Sequence, residues 1–125
     1  MFNEFHNYLT LTPGFEITKQ EDNTISFSYK NYQFLFIYDN TDPYYFRLIL
    51  PNITNVASLK GSVDDIINDY NSKFKVSKII KVGDSLWVSV EQFIYTKDKL
   101  SELFGRLVNL LAIVVDDFRR EHLNL

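Results

Sequence analysis

Residues 86–93 read Leu-Trp-Val-Ser-Val-Glu-Gln-Phe, and a helical pattern containing Leu110-Leu111-Ala112-Ile113-Val114-Val115 follows them closely. The first stretch alternates, as in a strand with one buried face. The second predicts a helix over 96–121 whose middle is apolar on every side. This helix carries more apolar surface than one small sheet should cover, which favours burial against a second chain. A helix buried between the sheet and shorter helices explains the same residues without a partner.

Working outward from this unit, the periodicity predicts two more helices and four more strands. The predicted helices span 2–10, 55–74 and 96–121, and the predicted strands span 24–30, 33–39, 44–50, 76–82 and 85–93. Phe15 and Ile17 also alternate, as in a short strand fragment, which the predicted sheet does not include. Short connections between the strands predict an α+β domain over residues 1–125, ordered α-β-β-β-α-β-β-α, with a largely antiparallel five-stranded sheet.

Local turn and cap chemistry refines these bounds. Ser62 and Asp65 form an S-x-x-D cap, so a start near Ser62 is the alternative for the second helix. Pro51 is expected to end the third strand, because proline cannot donate to a ladder. Gly83, followed by Asp84, predicts a type II′ hairpin turn, and Thr96 is expected to cap the last helix.

Composition excludes several classes of function. The chain has 125 residues, a formal net charge of -3 and no cysteine. The missing cysteines exclude disulfides and thiolate metal sites, and the acidic balance argues against a nucleic-acid partner. The longest apolar run is about six residues, far short of the roughly twenty that span a bilayer. The first residues lack a signal-peptide pattern, so we expect a soluble cytoplasmic protein without a membrane partner.

Recognisable catalytic chemistry is missing from the sequence. His6 and His122 lie near opposite ends, and no phosphate-binding loop or metal-ligand spacing surrounds them. The acidic residues of the two longer helices are typical of solvated helix ends: Asp64, Asp65 and Asp69 in one, and Asp116, Asp117 and Glu121 in the other. The sequence therefore predicts no catalytic residue, no cofactor and no metal site.

Two groups of apolar residues are candidates for binding. We predict a partner-binding face of Phe34, Phe36, Tyr38 and Tyr45, on the side opposite Leu35, Ile37, Phe46 and Leu48. A sheet buried on both sides within one chain is the alternative. Trp87 and Glu91 share the polar face of the fifth strand and suit recognition of a cation or an amide, unless that face is simply exposed. Leu110, Ile113 and Val115 are the candidate dimer interface.

The order of these elements resembles a known family. From Val63 to Phe118 the chain combines Asn68-Asp69-Tyr70-Asn71 at a helix end, a Lys-rich strand, a Gly-Asp hairpin, the strand 87–93, and a last helix with Leu107, Leu110 and Leu111. Residues 46–53, Phe-Arg-Leu-Ile-Leu-Pro-Asn-Ile, fit the same frame. The chain is similar to the YbjN family, whose fold resembles that of type III secretion chaperones.

The resemblance implies a function without catalysis. The family is associated with regulation of sensory transduction in bacteria, and the chaperones of similar fold are acidic homodimers that bind extended segments of other proteins. We therefore expect a chaperone-like or regulatory protein-binding module, homodimeric, that uses an apolar sheet face or groove, with a strand added by the partner as one mode. The alternative is a small-molecule or lipid-binding domain with an aromatic cavity that contains Arg47.

Overall fold

Three helices and six strands make up the computed structural model, which describes residues 2–74, 76–94 and 99–123. The helices are α1 (Phe2–Leu11), α2 (Val63–Lys73) and α3 (Leu100–Leu123). The strands are β1 (Glu16–Glu21), β2 (Thr24–Tyr29), β3 (Tyr32–Tyr38), β4 (Tyr45–Asn55), β5 (Lys78–Val82) and β6 (Ser85–Phe93). The predicted α+β class with three helices is confirmed, and the predicted strand count of five is corrected to six.

The additional strand is β1, which forms one edge of the sheet against β2. Its sequence, Glu-Ile-Thr-Lys-Gln-Glu, has a single apolar residue, Ile17, so the alternation of Phe15 and Ile17 marks only its beginning. The register also shifts between Ile17 and Lys19, which breaks the period of two. Pairing with β2, rather than its own sequence, is what makes this segment a strand.

The six strands form one sheet in the order β1-β2-β3-β4-β6-β5, and all neighbouring pairs are antiparallel. Helix α2 lies between β4 and β5 in the chain, and β5 then returns to the outside of β6. The predicted antiparallel arrangement is confirmed. β5 is the second edge of the sheet.

Two hairpin turns follow from local residue chemistry. Lys30 and Asn31 join β2 to β3 with φ of 50° and 65°, the pair of positive values that a type I′ turn requires. Gly83 has φ of 60° and Asp84 has no positive φ, as the predicted type II′ turn needs.

The predictions for the third strand and the second helix need correction at their junction. β4 continues through Pro51 to Asn55, because its register with β6 shifts between Leu50 and Thr54 and proline needs no ladder bond in such a bulge. A single 3₁₀ turn, Val56–Ser58, follows, and α2 begins only after Ser62, whose side chain accepts from the Asp65 N–H. The later start of the helix is confirmed. The predicted cap Thr96 lies outside the described residues.

All three helices pack on one face of the sheet. At the centre, the Phe5 ring stacks on Phe36 with centroids 4.0 Å apart and meets the edge of Phe104 at 4.7 Å. Helix α3 contributes nine buried residues to this core, which accounts for its broad apolar surface. Within the described residues, no helix is both long and apolar enough to cross a membrane.

Candidate functional site: the open face of the sheet

The strand register decides which residues face the helices. Phe36 lies opposite Leu48 on the helical side, and Leu35 lies opposite Ile49 on the other side. Cross-strand partners share a face. The core cluster, to which all three helices contribute, contains Phe36 and Leu48 but neither Leu35 nor Ile49. We call the side away from the helices the open face.

The open face is divided into a polar and an apolar half. On β1 and β2 it carries Ser26, Ser28 and a Lys19–Glu21 ion pair of 3.0 Å. Beyond Gln33, on β3, β4, β6 and β5, it becomes apolar. This apolar half consists of Leu35, Ile37, Tyr45, Ile49, Trp87, Phe93, Ile80 and Val82.

The apolar half has a buried centre and an exposed margin. Ile49 is 1 % exposed although it does not belong to the core cluster, so its neighbours on the open face cover it. Toward the ends of the strands, Phe93 is 53 % exposed, and Ile80 and Val82 are also exposed. Ile80 pairs with Trp87, and Phe93 pairs with Tyr45 at the other end of β6, so the exposed apolar residues lie at both ends of the apolar half. Exposed large apolar side chains on one face are typical of a surface that binds a partner.

One ion pair lies inside the apolar half. Arg47 and Glu91 are direct cross-strand partners, with Arg47 Nε 3.3 Å from Glu91 Oε1. Arg47 Nε is buried and makes no aligned hydrogen bond, so the contact is one of charge only. The pair borders a groove of about 340 Å³, whose other walls include Lys78, Ile80 and Ser89. The positive charge of Arg47 thus already offsets the Glu91 carboxylate, which disfavours Glu91 as a site for a further cation.

Tyr45 lies beside this pair and packs on Phe93, with ring centroids 5.2 Å apart. Partial burial raises the pKa of the Tyr45 hydroxyl, and the Glu91 carboxylate raises it further. The hydroxyl is therefore a neutral donor at physiological pH. It gives the apolar half a polar group at its rim.

The bulge in β4 positions Trp87. Asn52 has φ of 53° within this bulge, and its side-chain oxygen accepts from Trp87 Nε1 at 3.1 Å and from Ser85 Oγ at 2.8 Å. The indole is held against the sheet by its own polar atom, with part of the ring open to solvent. Asn52 was not among the predicted site residues, since its role depends on the bulge.

The predicted partner-binding residues do not share one face. Phe34 and Phe36 are each 0 % exposed beneath the helices, which corrects the expectation that they form a binding face. Tyr38 is half-buried on the helical side, where its ring contacts Phe2. Because Tyr38 pairs with Phe46, Tyr45 points the other way, and only Tyr45 of the four lies on the open face. Trp87 and Glu91 also lie on the open face, because they alternate with the inward-facing residues of β6.

The candidate dimer residues also separate. Val115 is 0 % exposed, and Leu110 is half-buried against the core of its own chain. The helical layer of its own chain covers Val115, which corrects the expectation that this residue lies on the surface, whereas Leu110 keeps part of its side chain accessible. Ile113 is 64 % exposed and is the remaining candidate on α3.

The edge strand β5 is partly closed by helix α2. Asn71 Nδ2 donates to the Ile79 carbonyl at 3.1 Å, and the Ile79 N–H donates to Asn71 Oδ1 at 2.8 Å. Both Ile79 groups therefore point away from β6, where an added strand would have to bind them. The amide of Asn71 occupies the positions that a partner strand would use, which disfavours strand addition at this edge.

Helix ends bring together residues that are distant in sequence. Ligand atoms of Asp69, Glu121 and His122 lie within 4.8 Å of one another, where α2 meets the end of α3. Lys73 Nζ lies 3.6 Å from Glu121 Oε2, so an ammonium already offsets this charge. The group is exposed or half-exposed and has the character of a solvated surface.

Comparison with known proteins gave no match: no family model matches the chain, and no similar curated protein or solved structure was found.

Proposed function

We propose that this chain is a non-catalytic protein-binding module that uses the apolar half of its open face. The observation that carries this proposal is the exposure of Ile80 and Val82 on β5 beside the half-buried Trp87, together with the exposure of Phe93 at the other end of β6. The resemblance to the YbjN family, with a fold similar to type III secretion chaperones, supports a chaperone-like or regulatory role. The partner would then be another protein in the cytoplasm.

The size of the apolar half suits the centre of an interface. Four strands about 4.8 Å apart, with about five residues each, give a flat area of roughly 300 Å². A standard interface buries about 800 Å² on each partner and has a polar rim. The polar half of the open face, with Ser26 and the Lys19–Glu21 pair, lies where such a rim would be.

Contact through the face is favoured over strand addition at the edge. Asn71 blocks the outward groups of Ile79 on β5, and β1 at the other edge carries the charged residues Glu16, Lys19 and Glu21. Charged edge strands resist pairing with a further strand. The partner would therefore lie across the strands and place apolar side chains against Trp87.

A paired comparison of two variants tests the proposal. The double variant Ile80→Ser/Phe93→Ser should lose the proteins that the wild-type chain captures from its native cell extract, since apolar anchor residues of an interface each contribute about tenfold or more to affinity. Leu11→Ser is the matched control, because Leu11 is equally apolar and 82 % exposed on the helical side. Retention of the same captured proteins by the double variant would refute the proposal.

The alternative of a small-molecule or lipid-binding domain has one observation in its favour, the groove beside Arg47. The core rings that would line an aromatic cavity instead pack directly on one another, as Phe5 does on Phe36. Titration of the protein with a fatty acid, monitored through Trp87 fluorescence, distinguishes lipid binding from protein binding. A saturable change at submicellar concentration would favour the lipid.

The predicted homodimer stays a prediction. An interface on α3 would have Ile113 as its exposed apolar anchor, and light scattering of wild type against Ile113→Glu tests it. A dimer that persists in Ile113→Glu but dissociates in Ile80→Ser/Phe93→Ser would place self-association on the open face.

A further inference from the structure

A second concave surface lies on the helical side, between the β2–β3 hairpin and the last turns of α3. Two adjoining grooves of about 520 Å³ and 310 Å³ share Tyr32, Ile113, Asp116 and Arg119. Arg120 borders one groove and Lys30 the other. We call this the Tyr32 cleft. It is distinct from the open face, because Tyr32 belongs to the helical side of β3.

The walls of the Tyr32 cleft are fixed by internal contacts. Arg119 Nε and Nη2 both donate to the Ile53 carbonyl, at 3.3 Å and 3.0 Å. The guanidinium carbon lies 5.2 Å from the centre of the Tyr32 ring, and the Tyr32 hydroxyl donates to Asp116. A site whose side chains are already ordered loses little entropy when a ligand binds.

The charge of the cleft opposes that of the whole chain. The formal net charge is -3, yet Lys30, Arg119 and Arg120 border the cleft against one lining carboxylate, Asp116. That carboxylate accepts a hydrogen bond from the Tyr32 hydroxyl. The hydroxyl stays protonated at neutral pH, because partial burial and the hydrogen bond to Asp116 raise the Tyr32 pKa. Arg120 also pairs with Asp117 at 3.5 Å, but an exposed pair of this kind is weak.

The position of the arginines has a partial structural explanation. Cations near a helix C-terminus offset its partial negative charge, which accounts for Arg119 and Arg120 on α3. It does not account for Lys30, which a separate hairpin supplies and whose ammonium lies 3.5 Å from Asn109 Oδ1 and 5.3 Å from the centre of the Tyr29 ring. Nor does it account for Ile113, which stays largely exposed between these charges. An apolar wall next to cations suits a ligand that carries both an apolar group and a negative charge.

We propose that the Tyr32 cleft binds a small anion, a phosphate or a carboxylate, carried on a flat apolar group. The apolar group lies against Ile113 and the Tyr32 ring, and the anion meets Arg120 in the larger groove, while Lys30 at the adjoining groove attracts it from a distance. This site is independent of the proposed protein-binding function, since the open face contributes no residue to it.

Titration of the 125-residue chain with phenyl phosphate, monitored through the chemical shifts of the backbone amides, tests the site. We expect saturable shifts confined to residues 30–32 and 112–120, with a dissociation constant of about 1 mM, as befits an open groove. Inorganic phosphate and phenol, which each supply half of the ligand, should bind about tenfold more weakly. Trp87 fluorescence, which reports the open face, should not change.

Two variants and a control complete the test. Lys30→Gln and Arg120→Gln should each raise the dissociation constant for phenyl phosphate about two- to fivefold, which is the contribution of one exposed charge. Lys81→Gln, an exposed lysine on β5 at the far edge of the sheet, should bind like wild type. Shifts that are absent, do not saturate, or persist unchanged in the Lys30→Gln/Arg120→Gln double variant would overturn the proposal.

Discussion

The clearest test of how this fold protects its sheet is the replacement of Asn71 by alanine. The wild-type amide makes two hydrogen bonds with Ile79, of 3.1 Å and 2.8 Å, at the half-buried edge of β5. Each such bond is worth about 1 kcal/mol net, so their loss should cost about 2 kcal/mol. Alanine also raises helix propensity by about 0.6 kcal/mol. The expected net loss is therefore about 1.4 kcal/mol.

This magnitude is measurable by calorimetry or denaturant titration. With an unfolding entropy of about 2.1 cal/mol/K per residue, a 125-residue chain should lose about 5 °C in Tm. Asn68→Ala is the matched control, because Asn68 lies on the same helix with its side chain exposed and gains the same propensity. Asn68→Ala should be neutral or slightly stabilising. If Asn71→Ala is no less stable than Asn68→Ala, the edge-closing role of the amide is wrong.

Three further predictions follow from the helical layer. Gly105→Ala should stabilise α3 by up to about 1 kcal/mol, measured by denaturant unfolding. The new methyl group meets only the Tyr8 side chain, whose hydroxyl lies 3.0 Å away and can move. Adding Tyr8→Phe to Gly105→Ala should therefore preserve or increase the gain in stability. Val115→Glu should cost several kcal/mol by placing a charge in the core, whereas Ile113→Glu should change the unfolding free energy of the monomer by less than about 0.5 kcal/mol. Burial raises the pKa of Tyr70 above its value in the unfolded chain, about 10. The contribution of Tyr70 to stability is therefore complete below about pH 10 and is lost as the pH rises through the folded pKa. Urea titrations from about pH 9 to pH 11 should show a smaller fall in unfolding free energy for Tyr70→Phe than for the wild type.

Local chemistry made part of the fold predictable. Asn31 tolerates a positive φ, Gly83 supplies one, and Ser62 caps a helix through its own oxygen, so each of these features depends on residues a few positions apart. The helix and strand periods are local in the same sense. They place most elements within a few residues of their observed bounds.

The candidate site was less predictable, because it depends on pairing between distant segments. β3 is apolar on both faces, so its own sequence cannot show whether Phe36 or Leu35 faces the helices. The register with β4 makes that choice and puts Tyr45 opposite in direction to Tyr38. The contact between Arg47 and Glu91 likewise exists only once β4 and β6 are aligned. β1 was left out of the predicted sheet for the same reason, since the alternation of Phe15 and Ile17 is short and the strand conformation of the segment is imposed by β2.

The position of all three helices on one face of the sheet limits the assemblies that the molecule can form. An open-ended filament needs two complementary surfaces on every subunit, whereas a closed pair needs one. Here the helical layer covers one face of the sheet, and Asn71 and the charged strand β1 restrict the two edges. If the open face is the surface that associates and Ile113 on α3 makes no second contact, association ends after a single step, whether the second layer is a copy of this chain or another protein. An adhesive surface of this kind can stay exposed without leading to fibres.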